Sequence, residues 1–266
     1  MENLFEQVAA ALLENDLEAK LARVEALPER LEADALSPRP ALPGSLEAGR
    51  PPRPELVPPA RVPRRRLGSP QGRAAMLHAI AHIEFNAINL ALDAVCRFQH
   101  LPTGFHADWL QVAREEVHHF RLVRERLRAL GRDYGDFPAH EGLWQLARTT
   151  AHDPLLRMAL VPRVMEARGL DVTPGIKARF QALGDIETVA VLDVIMRDEI
   201  GHVSAGSRWF RHLCRERGLD PERTYFELIE AHLGGKVRCP LHHDARRAAG
   251  FSERELDQLE RLCGSG

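Results

Sequence analysis

The chain has 266 residues, of which 44% are hydrophobic and 28% are charged, so it can bury one substantial core spread over one or two domains. Its formal net charge of −2 provides no overall field that would attract nucleic acid or a membrane surface, and such a partner would need a local patch. No run approaches the roughly 18 apolar residues of a membrane span, and acidic residues flank the first apolar ones, which argues against a signal peptide. We therefore predict a cytoplasmic protein with no membrane partner.

The N-terminal quarter of the chain differs in composition from the rest. Apolar residues recur at helical spacing over residues 3–27, which predicts one amphipathic helix in an N-terminal segment that ends at residue 36. Residues 37–70 then contain ten prolines and no long apolar run, so they are predicted to form an extended strap on the surface. A basic cluster near the end of this strap is either part of a solubilising linker or a contact for phosphate or an acidic partner. The cluster consists of Arg61, Arg64, Arg65 and Arg66.

After residue 70 the sequence is helical almost throughout. Alternating β-branched runs and Asn-Gly turns are missing from it, so the predicted fold class is all-α. We predict a helical bundle over residues 71–218 and a C-terminal helical extension over residues 219–266. The predicted helices lie at about 71–99, 104–130, 140–151, 153–169, 174–184, 186–216, 220–234 and 252–263. Pro162 is expected to kink the fourth of these helices, and "DVTPG" at residues 171–175 is expected to end it.

Four glutamates interrupt the apolar stripes of the long predicted helices. Glu84 precedes Glu116 by 32 residues, and Glu166 precedes Glu199 by 33 residues. The second glutamate of each pair is followed three residues later by a histidine, so the chain contains an internal repeat of a helix pair. The candidate metal ligands are Glu84, Glu116, His119, Glu166, Glu199 and His202.

The chemistry of these six side chains predicts a dinuclear metal centre. Positions i and i+3 share one side of a helix, so each Glu-His pair can aim at a single point. Four carboxylates and two imidazoles from four helices are the ligand set of ferritin-like di-iron and di-manganese proteins. Burying even one unpaired carboxylate costs several kcal/mol, and two divalent cations would neutralise all four. Carboxylate with imidazole suits iron or manganese, so we predict two iron ions, with manganese or zinc as alternatives.

The motif "REEVHHF" at residues 114–120 allows two registers, because Glu115 and His118 have the same spacing as Glu116 and His119. Alignment with "RDEIGHV" at residues 197–203 matches Glu116 to Glu199 and favours the second register. Glu115, and Asp198 in the second motif, then become either acceptors that orient a ligand histidine or solvent-facing charges.

Several segments around these residues resemble one known family. They are "AHIEFNAINLALDA", "REEVHHFRLV", "VPRVMEARGLDVTPGI" and "RDEIGHVSAGSRWF", and the similarity to the family called domain of unknown function 455 runs from about Arg61 to about Phe251. The resemblance implies a ferritin-like four-helix bundle related to tRNA-hydroxylating non-haem di-iron enzymes, with the same six residues as ligands. The stretch "CPLHHDARRAAGF" differs from the proline-phenylalanine-asparagine motif that is usual at this place in that family.

These observations favour an enzyme. Our first hypothesis is an O₂-dependent oxidase or oxygenase acting on an unknown organic substrate, either a small molecule or a tRNA. The alternatives are a ferroxidase or iron-handling protein, and a metal-stapled module that binds RNA or another protein. The sequence leaves the oligomeric state open, with a homodimer as one option. A tyrosyl-radical role is disfavoured, because Tyr134 and Tyr225 are not expected near the ligand helices.

The four cysteines form no CxxC pair, and we expect them to be reduced and structural. They are Cys96, Cys214, Cys239 and Cys263.

Overall fold

The structure is a computed structural model that describes residues 3–29, 31, 47–62 and 66–263. The fold class is all-α, as predicted. Within the described ranges the β structure amounts to one isolated bridge, between Leu56 and Ala139. The chain separates into two compact units, Met1–Thr149 and Thr150–Gly266. The domain boundaries predicted from the sequence, after residues 36, 70 and 218, stay predictions.

Two sequence predictions fall partly on residues whose structure is not described. Residues 37–46 of the strap lie outside the described ranges, and so do Arg64 and Arg65 of the basic cluster. The role predicted for that cluster therefore stays a prediction.

The first unit begins with two helices, α1 (Leu4–Leu13) and α2 (Leu17–Glu25), so the prediction of a single helix through residue 27 is wrong. The physical reason is a new helix N-terminus at Asp16, whose carboxylate accepts a hydrogen bond from the backbone N–H of Ala19 at 2.8 Å. Such a cap satisfies one of the amide groups that every helix start leaves without a partner. Apolar periodicity alone does not reveal this break.

The core of the first unit is formed by α3 (Pro70–Arg97) and α4 (Thr103–Ala129), followed by the shorter α5 (Gly142–Thr149). These bounds confirm the helices that the sequence predicted at these places. The length and composition of α3 would suffice to cross a membrane, but 89% of its most apolar window is buried inside the protein. A buried core helix explains both properties, because helices that are apolar all round occur in protein interiors as well as in membranes.

The described part of the strap is fastened to the end of this unit. The carboxylate of Glu47 accepts hydrogen bonds from Trp144 Nε1 at 2.9 Å and from Arg148 Nε at 2.7 Å, both on α5. Further along, Val57 N donates to Ala139 O at 2.8 Å. These contacts hold residues 47–62 against α5 and the loop that precedes it. A single 3₁₀ turn, Pro59–Arg61, is the regular structure within that range.

Lys20 on α2 is fully buried, with 0% of its surface exposed. Its Nζ donates to Leu12 O at 2.7 Å and to Asn89 Oδ1 at 2.8 Å. Desolvation disfavours the charged ammonium and lowers the pKa of Lys20 to about 7 from 10.5. Between those two pH values the unfolded chain binds more protons than the folded protein, so folding stability rises with pH there.

We therefore expect the free energy of unfolding in urea to increase between pH 7 and about pH 9, at about 1.4 kcal/mol per pH unit at most from Lys20. The Lys20→Met variant, which has no ammonium group to desolvate, should show a flatter pH profile than the wild type. Parallel profiles for the two proteins would contradict the assignment of this effect to Lys20.

The second unit contains the remaining helices. Its longest helix spans Ile186–Glu216 and confirms the long helix predicted at residues 186–216. The bounds are α6 Pro154–Leu160, a π-helical segment Val161–Glu166, α7 Ala167–Ala182, α8 Ile186–Glu216, α9 Pro221–Leu233, α10 His243–Ala248 and α11 Glu253–Cys263.

Two predictions for this unit are wrong. The helix does not end at "DVTPG", because α7 continues through Pro174 to Ala182. No helix was predicted between residues 234 and 252, but α10 lies there. The distortion predicted at Pro162 is present as the π-helical segment, a wider turn that accommodates a proline where an α-helix would need a backbone N–H.

A buried arginine joins the π-helical segment to the C-terminal helices. Arg163 is 0% exposed, and its Nη2 lies 2.5 Å from Glu255 Oε1 on α11. Its guanidinium also lies 4.2 Å from the ring centre of Tyr225 and 4.6 Å from that of Phe251. One side chain thus makes both an ion pair and cation–π contacts. Through them it links the π-helical segment to α9, to α11 and to the loop before α11.

The expectation that all four cysteines are reduced is wrong. Cys239 and Cys263 form a disulfide bond between the segment before α10 and the end of α11, whereas Cys96 and Cys214 are free and buried as expected. The two bonded residues are 24 positions apart and belong to no short motif, so their proximity depends on how the C-terminal helices fold back.

Candidate metal centre

The first unit brings three of the predicted ligands together. Glu84 on α3 and Glu116 and His119 on α4 each offer one ligand atom, and these atoms lie within 4.8 Å of one another. His119 Nδ1 is 3.3 Å from Glu116 Oε2 and 3.5 Å from Glu84 Oε2. All three side chains are buried, with 3% of Glu84 and none of the other two exposed. A buried Glu-Glu-His cluster of these dimensions could hold a metal ion.

The electrostatics of this cluster favour a cation between the two carboxylates. Burial and the neighbouring charge of Glu116 raise the pKa of Glu84 well above its ordinary value. Burial lowers the pKa of His119, but the hydrogen bonds that the ring donates to the Glu116 and Glu84 carboxylates outweigh this effect and raise that pKa to about 11. An imidazolium neutralises only one of the two carboxylates, whereas a divalent cation would neutralise both. The residues present therefore fit a metal ion.

The burial pattern on α4 agrees with the register chosen from the sequence. Glu116 and His119 face the interior, while His118 is exposed and Glu115 is half-buried. Glu115 Oε1 accepts a hydrogen bond from Gln111 Nε2 at 2.8 Å, one turn earlier on the same helix. A partly solvated surface contact of this kind suits a solvent-facing charge better than a metal ligand.

The second unit holds the other three predicted ligands. Glu199 and His202 lie one turn apart on α8, with His202 Nδ1 3.6 Å from Glu199 Oε1. The His202 side chain is 1% exposed and that of Glu199 is 13% exposed. Glu166 is half-buried and is the last residue of the π-helical segment. The repeated Glu-x-x-His geometry is therefore present on α8 as it is on α4.

Close packing against α8 fixes the π-helical segment that carries Glu166. A Cβ atom at Gly206 would lie 2.3 Å from Pro162, so only glycine lets the two helices approach this closely. Tyr225 Oη also donates to the backbone carbonyl of Arg163 at 3.0 Å. π-Helical turns are frequent at functional sites, because the wider turn re-aims the side chains beside it. Sequence reasoning identified Pro162 but missed the contribution of Gly206.

The expectation that both tyrosines lie away from the ligand helices is wrong. The ring of Tyr134 packs 5.6 Å from Phe85 on α3 and 5.1 Å from Phe120 on α4. The ring of Tyr225 packs 6.0 Å from Phe210 on α8. Burial raises the pKa of both phenols, which keeps them protonated. These tyrosines therefore act as packing groups next to the ligand helices.

The two histidines on α3, His78 and His82, are packing groups as well. His78 Nε2 accepts a hydrogen bond from the backbone N–H of Gly135 at 3.0 Å. His82 Nδ1 lies 2.9 Å from Tyr134 Oη, and desolvation lowers the pKa of His82 to about 4. Both rings are thus neutral members of the interface between α3 and the loop that follows α4.

Fold and site together define an all-α protein whose first unit contains a buried carboxylate-imidazole cluster suited to a metal ion. The chain belongs to the family described as protein of unknown function DUF455, whose model matches residues 13–257. It is similar to an uncharacterized protein of Haemophilus influenzae, with 50% identity over 216 residues that cover 79% of this chain and 75% of the relative. No solved structure matches the chain. The functional argument therefore rests on the residues themselves.

Proposed function

We propose that the protein is a ferritin-like, non-haem dinuclear carboxylate protein that uses O₂ to oxidise an organic substrate. The observation that carries the proposal is the dry cluster of Glu84, Glu116 and His119, in which two carboxylates and one imidazole converge with almost no exposure to water. Such a cluster is costly unless a cation compensates it, and its ligand types suit iron or manganese.

The internal repeat supports a second set of ligands of the same kind. Glu166 corresponds to Glu84, and the pair Glu199 and His202 corresponds to Glu116 and His119. We propose that both sets serve one centre with two metal ions, which gives the four carboxylates and two imidazoles of the di-iron carboxylate class. The assembly of the helix pairs into a single four-helix bundle belongs to this proposal.

The protein residues have three roles in the proposed reaction. The carboxylates and imidazoles bind and orient the metal ions, and the apolar helix faces around them exclude water from the site. Two iron ions supply the electrons for reaction with O₂ when bound. We propose a small molecule or a tRNA as the substrate, and no membrane partner. We also propose a cytoplasmic location, with a homodimer as one option for the oligomeric state.

Anaerobic loading of the full-length protein with Fe(II), followed by metal analysis and oxygen-electrode measurements, tests the proposal. We expect about two iron ions per chain and O₂ uptake when air is admitted, with no uptake by the zinc-loaded protein. O₂ uptake that keeps pace with repeated additions of Fe(II) would instead indicate a ferroxidase. Bound metal without any O₂ uptake would favour the metal-stapled binding module and contradict the proposed oxidation.

A further inference from the structure

A pocket lies in the first unit, on the opposite face of α3 from Glu84. It is a cavity of about 90 Å³ that is bordered by His82, Asn86 and Asn89 of α3. At about 100° per residue, Asn86 and Asn89 lie roughly 200° and 140° around the helix from Glu84. Because the body of α3 separates this cavity from the carboxylate cluster, it is a distinct site.

The other walls of the cavity come from the strap, from Tyr134 and from α5. Arg50 of the strap has a side chain that is 51% exposed, whereas Asn89 is 2% exposed. Arg50 therefore marks the mouth of the cavity and Asn89 its buried end. Phe85 and Trp144 supply aromatic surface between them. A charged rim, an apolar wall and a polar end are typical of sites for small organic ligands.

The acidic groups that border the cavity already have partners. Glu47 accepts hydrogen bonds from Trp144 and Arg148, and the hydrogen bond from Arg148 is the main reason why the pKa of Glu47 is lowered. Glu141 accepts hydrogen bonds from Arg148 at 3.2 and 3.4 Å. Arg50 approaches Glu141 only to 3.6 Å, which is beyond a good hydrogen bond. Its guanidinium therefore has donors to offer at the mouth of the cavity.

The buried end of the cavity also offers a donor. Lys20 Nζ donates to Asn89 Oδ1 at 2.8 Å, which places Nδ2 of Asn89 on the side of the amide that faces away from Lys20. Among the described contacts, Nδ2 of Asn89 has no protein acceptor. Asn86 is used differently: its Nδ2 donates to the carbonyl oxygen of His82 at 2.7 Å, which leaves its Oδ1 for water or a ligand hydroxyl.

We propose that this cavity binds a small organic carboxylate that carries a second oxygen acceptor, with the carboxylate on Arg50 and the other oxygen on the amide of Asn89. An arginine fork matches a carboxylate, and a neutral amide donor suits a carbonyl or hydroxyl oxygen. The organic chain then lies against Phe85 and Trp144. Bound there, the ligand contacts the strap, α3 and α5 at once.

Calorimetric titration of the full-length protein with levulinate, a five-carbon acid with a ketone group, tests this assignment. Valerate has the same carbon chain without the ketone, and 4-oxopentanamide has the ketone without the charge. We expect levulinate to bind at least about tenfold more tightly than either analogue, since each lacks one hydrogen-bonded group. Failure of levulinate to bind at about 10 mM, or equal affinities for the acid and the amide, would overturn the proposal.

Two variants locate the site. Arg50→Gln should abolish the preference for levulinate over 4-oxopentanamide, while Arg61→Gln, an exposed arginine of the same strap that does not border the cavity, should preserve it. The Arg50 side chain is half exposed and forms only a loose ion pair, so its replacement should leave the thermal unfolding midpoint nearly unchanged. Unaltered discrimination in Arg50→Gln would place any observed binding elsewhere and refute the assigned site.

Discussion

Glu116→Ala should leave the protein unable to bind two metal ions per chain, whereas Glu115→Ala should still bind two. Glu116 is fully buried and its carboxylate lies beside both His119 and Glu84, so its loss removes a ligand and the charge that a second cation needs. Glu115 is half-buried and contacts Gln111. Metal analysis after anaerobic Fe(II) loading and removal of excess iron gives the stoichiometry directly.

Glu199→Ala tests the second half of the proposal in the same assay, and we expect it to reduce the metal content as Glu116→Ala does. Its neighbour Asp198 offers a matched control, because Asp198 pairs with the exposed Arg197 at 2.9 Å. Circular dichroism of each metal-free variant separates loss of a ligand from loss of the fold. If Glu115→Ala abolished binding while Glu116→Ala retained two ions, the chosen register would be refuted.

Arg163→Ala should cost about 3–5 kcal/mol of unfolding free energy. Truncation would leave Glu255 buried without its partner at 2.5 Å, and would remove the cation from among Phe210, Tyr225 and Phe251. Urea unfolding followed by circular dichroism measures this loss. Arg223→Ala is the matched control, since the Arg223 side chain is 79% exposed and should matter little.

A double replacement separates the ion pair from the packing around it. Arg163→Met together with Glu255→Leu removes both charges and keeps most of the volume, so it should be more stable than Arg163→Ala alone. If the double variant were as unstable as the single one, the aromatic contacts of the guanidinium would matter more than its charge partner. A stability equal to wild type in Arg163→Ala would contradict the role assigned to this residue.

The long helices could be predicted from the sequence because their apolar periodicity extends over many turns. Some helix starts could be predicted as well, where a capping residue precedes the first helical residue. Asp153 is such a residue, and its carboxylate accepts a hydrogen bond from Leu155 N at 2.9 Å. Short breaks were harder to predict. The cap at Asp16 divides an otherwise continuous apolar stripe, and Pro174 lies inside α7 although proline usually ends a helix. There, burial of Leu170 and Phe180 outweighs the local preference.

The candidate ligands were recognisable because helical spacing places Glu116 and His119 on one face, whatever the surrounding fold. Contacts made by loops could not be predicted in this way, because no regular spacing in the sequence marks them. Tyr134 reaches α3 because the loop after α4 folds back, with Gly135 at a φ of 103° donating to His78. The closeness of Gly206 to Pro162 likewise depends on how α8 meets the π-helical segment, and periodicity within one helix contains no information about that contact.

The covalent link between Cys239 and Cys263 makes the end of the chain sensitive to its redox surroundings. Closing a loop across 24 residues restricts the unfolded chain and so favours the folded C-terminal helices. In the cytosol, which is the location that we propose for this protein, glutathione and thioredoxin would tend to keep both cysteines reduced. The last helix would then depend on noncovalent contacts such as the one between Glu255 and Arg163. The C-terminal helices would thus be more stable against unfolding under oxidising conditions than under reducing ones.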